Sequence, residues 1–128
     1  MRLLLDTCTF LWLNLDLSKL PRGIQQLCAE EANQLYLSAV SAWEIALKHA
    51  AGRIPLPEQP GKYITSRRAL NGVATLPLRE ADVFHVSKLP PLHKDPFDRL
   101  LICQAISNGL AIVTPDEQIG QYPVRVLW

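Results

Sequence analysis

Four acidic side chains, taken as a set, stand where chemistry could use them. Asp6 follows the aliphatic run Leu3-Leu4-Leu5 without a break, in "LLLDTCTF". Asp116 follows a second apolar run, in "LAIVTPD". Glu44 and Asp98 fall in the first turns of two helical segments, "SAVSAWEIALKHAAG" and "DPFDRLLICQAISNG". Open α/β sheets bind ligands past the carboxyl ends of their strands. If both runs are strands of such a sheet, the four carboxylates converge on one sheet edge. A cluster of that kind repels itself, and each pKa rises unless cations neutralise it. Oxygen-only ligands suit a hard divalent ion, Mg2+ or Mn2+.

Each acid also has a structural reading. Glu44 completes Ser41-x-x-Glu44, the spacing of a capping box. Asp98 lies three residues after Asp95, where negative charge suits a helix macrodipole, and Asp95 reads as the N-cap itself. Asp116 in "TPDEQ" fits an ordinary turn. Asp6 is the exception, because an acid closing a buried strand is harder to assign to a turn. The weight rests on the set of four and not on any one member.

The elements that must position these acids alternate in type. Residues 2–5 read as a strand buried on both faces. Residues 8–15 and roughly 20–32 read as helices, and 35–38 as a second strand. That strand runs into a helix capped by Ser38 or Ser41 and stopped at Gly52. After a Pro-rich loop, the pattern predicts a helix over 60–71, an extended segment over 73–78 and a short helix over 79–88. The clearest helix runs from Asp95-Pro96 to Asn108-Gly109. Strands over 110–114 and 124–128 complete the chain. This alternation predicts an α/β fold with a mostly parallel sheet.

The chain has 128 residues, 48% of them apolar and 20% charged, the balance of one globular domain over 1–128. A net charge of +1 supplies no global field towards nucleic acid, which leaves only local basic patches. The longest apolar stretch is broken by Asp6 and Asn14, so neither a membrane span nor a signal peptide is expected. Cys8, Cys28 and Cys103 are odd in number and widely spaced. They fit no disulfide framework or C-x-x-C metal pattern, and a reducing cytoplasm is the expected compartment.

The stretches "LLLDTCTFLWL", "LSAVSAWEIALK", "HKDPFDRLLICQAI" and "IVTPDEQIGQY" resemble, in order and spacing, the motifs of PIN-domain ribonucleases, and within them the VapC-type toxins of bacterial toxin–antitoxin modules. The resemblance covers essentially the whole chain. It implies a three-layer α/β/α fold around a sheet of about five strands. It also implies that Asp6, Asp98 and Asp116 hold the main metal, with Glu44 ligating a second ion or orienting water. Asp95 then becomes an outer-shell carboxylate, Thr114 the small hydroxyl residue before the last acid, and Thr7 a residue lining the site. Pro115 departs mildly from the family pattern and biases Thr114 to extended geometry. The implied reaction is endonucleolytic cleavage of RNA by metal-activated water. A homodimer and a cognate antitoxin covering the acidic pocket are the implied partners.

Phosphates need cations that an acidic pocket does not offer. Lys48, Arg53, Arg67, Arg68, Lys94 and Arg99 are the candidates, with Trp43 and Tyr63 as stacking surfaces for bases. A core role is favoured for Trp43, and a structural one for His93 beside Asp95. Competing chemistries fit less well. A haloacid-dehalogenase-type phosphatase needs a second Asp where Cys8 stands. A phospho-receiver needs an adjacent acid pair and a phosphoacceptor Asp that "VATLPL" does not supply. A cysteine hydrolase lacks any motif around Cys8. The remaining alternative is a PIN-fold RNA- or protein-binding module without turnover.

Overall fold

The computed structural model describes residues 1–128. Strand β1 (Arg2–Leu5) leads into α1 (Thr7–Leu15), a 3-10 turn (Leu17–Lys19), α2 (Arg22–Ala29) and β2 (Gln34–Ser38). Helices α3 (Ala39–Ala50) and α4 (Pro60–Asn71) follow, then β3 (Val73–Leu76), α5 (Glu80–Phe84) and a second 3-10 turn (His85–Lys88). Helix α6 (Pro96–Asn108), β4 (Ala111–Val113), a third 3-10 turn (Ile119–Gln121) and β5 (Val126–Leu127) end the chain.

The five strands form one sheet in the order β3-β2-β1-β4-β5, and every pairing is parallel. Strand β1 is central, with Leu5 opposite Leu37 of β2 on one side and Val113 of β4 on the other. Its three leucines are fully buried because both sheet faces are covered. Leu3 and Leu5 pack with Phe10, Ile24 and Ile64 from α1, α2 and α4. Leu4 points the other way, into Leu101 and Ile102 of α6 and Ile119. The period-two alternation of one strand thus feeds two separate cores, which makes the fold three-layered. Emptying either core at Leu4 or Leu5 by substitution to Ala costs about 2–5 kcal/mol. Helix α3 contributes Val40 to one core and Ile45 to the other, and packs against α1, α4 and α6.

Local signals set most boundaries. The Asp95 side chain accepts from the backbone of Phe97 (2.9 Å) and Asp98 (3.2 Å), Pro96 takes the first helical position, and Gly109 closes α6 in the left-handed region (φ 65°). Several expected elements are shorter. The helix expected over 20–32 begins only at Arg22, after Pro21 and a 3-10 turn. Strand β3 stops at Leu76, before Pro77, which has no N–H for the ladder. The segment 79–88 divides into α5 and a 3-10 turn, and the last strand contracts to Val126–Leu127. No helix is long and apolar enough to cross a membrane.

Candidate active site at the carboxyl edge of the sheet

Asp6 sits where β1 becomes α1, and the backbone bond from its N–H to Val113 O (3.2 Å) extends the β1–β4 ladder by one residue. The side chain is the N-cap of α1: Oδ1 accepts from Thr9 N at 2.8 Å. Oδ2 accepts from Thr114 Oγ1 at 2.5 Å, and the Cys8 thiol lies 3.3 and 3.4 Å from the two oxygens. The acid least expected to have a structural role therefore has one. Burial nevertheless wins: it raises the Asp6 pKa above the ordinary carboxylate value against the pull of hydrogen bonds from Thr114, Thr9 and Cys8.

Thr114 links this carboxylate to the next one. Its hydroxyl donates to Asp6 and accepts from Asp116 N at 3.1 Å. Asp116 in turn accepts from Gln118 N at 2.9 Å, the turn role that its sequence context allowed. Pro115 leaves this arrangement intact. Thr9, which sequence reasoning passed over, ties the same edge together through a 2.9 Å bond from Oγ1 to Val113 O.

Glu44 is buried in the second turn of α3, and the capping-box reading is overturned. Ser38 caps α3, accepting from Val40 N at 2.9 Å, so Ser41 lies inside the helix. The sequence offered two serines in a row of candidates, and the one closing β2 wins because the strand runs into the helix without a loop. Glu44 Oε1 instead accepts from Thr7 Oγ1 at 2.6 Å, and Oε2 pairs with Lys48 Nζ at 2.5 Å. Thr7, Cys8, Leu11, Glu44, Lys48, Arg53 and Ile54 line a cavity of about 300 Å³.

Asp98 is the third residue of α6. Its carboxyl is pushed up to about 7, first by burial and then by the charges of Asp95, Asp116 and Glu44. His93 acts in the opposite direction. The Cys8 thiol is likewise pushed up, by burial and then by Asp6, with Asp98 adding to it. Glu44 and Asp116 thus act on Asp98, and Asp6 and Asp98 both act on the Cys8 thiol. As the side chains stand, no three of the His, Cys, Asp and Glu groups close tightly enough to hold an ion. The donor chemistry still fits a hard divalent cation, because the set is all carboxylate and positive charge would relieve the repulsion that raises Asp98.

The cations divide into two groups. Lys48 and Arg53 line the cavity beside Glu44, and Lys94 is exposed next to Asp95. Arg99 faces inward, donating to Pro90 O and to Tyr122 Oη, each at 3.1 Å. Arg67 lies over the Tyr63 ring at 5.3 Å, and Arg68 donates to Leu37 O at 3.1 Å. Tyr63 itself is fully buried and has no face for a base. Trp43, expected in the core, is 52% exposed and meets Phe97 edge-on at 4.9 Å. His93 reaches Asp98 rather than Asp95, with Nε2 3.5 Å from Oδ2.

Comparison with known proteins gives consistent matches. The PIN domain family profile matches residues 3–124. Ribonuclease VapC16 of Mycobacterium tuberculosis is 38% identical over 53 residues, a stretch that spans 41% of this chain and 38% of that protein. Among solved structures, VapBC2 from Rickettsia felis bound to a DNA fragment from its promoter superposes with a TM-score of 0.74 at 16% identity, over 99% of this chain and 98% of that one. DNA-bound VapBC from Salmonella typhimurium gives a TM-score of 0.66 at 16% identity, over 99% and 97% of the two chains. At these identities the structural likeness is one of fold.

Proposed function

The chain belongs to the PIN domain family, and from that premise we propose that it is a metal-dependent endoribonuclease, the toxin of a toxin–antitoxin pair. The observation that carries the reading is the state of Asp98, held near 7 by burial and by three neighbouring carboxylates. A perturbed acid cluster at a sheet edge supports the reading of a functional site. Asp6, Asp98 and Asp116 would hold Mg2+ or Mn2+, with Glu44 on the flank towards Lys48. A bound divalent ion supplies Lewis acidity and makes water a nucleophile at neutral pH.

The chain's own residues do the rest. Thr114 and Thr9 fix the Asp6 carboxylate, and Thr7 fixes Glu44. Lys48, Arg53 and Lys94 offer charge to the RNA backbone around the pocket. Trp43 and Leu47, four residues apart on α3 and 52% and 48% exposed, give a face suited to a second copy of the chain. The VapBC assemblies of like fold support an antitoxin partner. Three free thiols suit a reducing cytoplasm.

The test is RNA cleavage by antitoxin-free protein with Mg2+, with Mn2+ and with chelator. Cleavage that requires the ion and is lost in Asp116→Asn supports the proposal. Tight RNA binding without cleavage under any condition overturns it in favour of a binding module.

A further inference from the structure

A hydroxyl outside the acid cluster is joined to one of its members through a single histidine. Tyr122 follows the third 3-10 turn, its side chain is buried, and its oxygen has three polar neighbours. The backbone N–H of His93 donates to it at 3.1 Å, and Arg99 Nη1 donates to it at 3.1 Å. The third neighbour is His93 Nδ1, at 2.7 Å. A phenolic oxygen has two acceptor sites and one proton. Both acceptor sites are filled by groups that can only donate, so the proton goes to Nδ1.

Nδ1 is therefore the acceptor nitrogen, and the N–H of the neutral imidazole lies on Nε2. Nε2 is buried and makes no well-formed hydrogen bond of its own. The carboxylate oxygen it faces is Asp98 Oδ2, 3.5 Å away. Arg99 stiffens the arrangement by also donating to Pro90 O at 3.1 Å and His93 O at 3.4 Å, which pins the loop that carries the histidine. The imidazole is thus clamped on one side and presents a single donor on the other.

We infer that Tyr122 and His93 are positioning residues for Asp98: the tyrosine fixes the imidazole tautomer, and the Nε2–H holds one carboxylate oxygen so that the other is free for a divalent cation. This rests on the reading of Asp98 as a metal ligand. Partners of this kind, which orient a ligand without touching the metal, typically change its affinity by about 10–100-fold when removed.

Two measurements on the purified full chain test it. The first is the imidazole 15N spectrum of the metal-free wild type, which needs no variant. A protonated Nε2 with an unprotonated Nδ1 is expected, with mixed tautomers in Tyr122→Phe. A protonated Nδ1 in the wild type overturns the inference. The second is Mn2+ titration calorimetry on His93→Leu and His93→Gln, whose amide nitrogen can stand in for Nε2. Loss of about tenfold or more in affinity for leucine, with substantial recovery for glutamine, is expected. Wild-type affinity in a folded leucine variant overturns the inference; if that variant does not fold, affinity in the glutamine and Tyr122→Phe variants decides. Failure of the wild type to take up Mn2+ would instead overturn the metal-site reading, and the tautomer would then decide the hydrogen-bond chain alone.

Discussion

The Thr114 hydroxyl donates to the Asp6 carboxylate across the junction of β1 and β4, at 2.5 Å and a separation of 108 residues. It closes the end of the sheet where two parallel strands part to enter different segments. The same oxygen accepts from Asp116 N, so one small side chain sets the spacing of two of the four acids.

That contact makes Asp6→Asn an informative substitution. Asparagine is as good an N-cap as aspartate, and its Oδ1 can still accept from Thr9. The raised pKa of Asp6 means that its charge is held at a cost in the fold. The variant should therefore melt at or slightly above the wild-type temperature while losing RNA cleavage by 100-fold or more, on the order expected when a group essential to the reaction is removed. Thermal melts and a cleavage assay on one preparation check both halves. Retained activity would remove Asp6 from the chemistry and leave it a helix cap.

Glu44→Gln separates the pocket role from helix stability. With Ser38 as the cap, Glu44 satisfies no helix terminus, and its partners are Thr7 and Lys48. Glutamine can still accept from Thr7, and Lys48, whose side chain is 35% exposed, can turn to water when the pair is lost. Urea denaturation should show a change below about 1 kcal/mol, whereas cleavage should fall at least tenfold. A large stability loss with unchanged cleavage would reverse the assignment.

Asp98 gives the fold a pH dependence whose sign is fixed. Its folded pKa of about 7 lies above the ordinary 3.8, so between those values the folded state binds more protons than the unfolded one. Stability contributed by this group is present at low pH and is lost as pH rises towards 7. Asp6, also raised, acts in the same direction. In chelator, Asp98→Asn should flatten the decline in urea midpoint from pH 4.5 to 7.5. Mn2+ affinity of the wild type should climb over pH 6 to 8, with proton release on binding at pH 7. A wild-type stability profile unchanged by Asp98→Asn would show that the carboxyl is not perturbed.

Arg99→Ala tests whether this cation serves RNA or the fold. Its guanidinium donates to Pro90 O and Tyr122 Oη, and the change removes both charge-assisted bonds, although each oxygen keeps a second donor, Leu92 N and His93 N. A loss of about 2 kcal/mol or more is expected. Lys94→Ala, at an exposed position, should leave stability within about 0.5 kcal/mol and weaken RNA binding, more so at low salt. The reverse pattern would place Arg99 among the RNA contacts.

What the sequence disclosed follows the range of the forces involved. Helix α6 is written in adjacent residues, Asp95-Pro96 at one end and Asn108-Gly109 at the other, and its limits are those the local pattern predicts. The leucines of β1 announce a doubly covered strand by composition alone. The cap of α3 was harder, because Ser38 and Ser41 are locally equivalent and only the direct run from β2 into the helix decides between them. The capping role of Asp6 is not legible in the sequence, since a cap at a strand–helix junction without a loop has no familiar spacing. The inward turn of Arg99, read as an RNA contact, and the partners of His93, read as structural, are not legible locally. Their partner Tyr122 lies 23 and 29 residues away, and nothing local distinguishes an inward guanidinium from a solvated one. Trp43 shows that an aromatic on an apolar-looking helix face is not thereby buried.

The central place of β1 also governs timing. Synthesis delivers Asp6 first and Asp116 near the end, yet Val113 and Thr114 must dock beside Leu5 and Asp6 before either acid is in register. A chain that still lacks β4 has a row of buried-strand leucines and three of its four carboxylates, but no assembled edge. For a protein proposed to damage RNA, that order of events is a safeguard in itself. The edge proposed to cut RNA is incomplete until β4 closes it, and a neutralising partner would have that interval in which to bind.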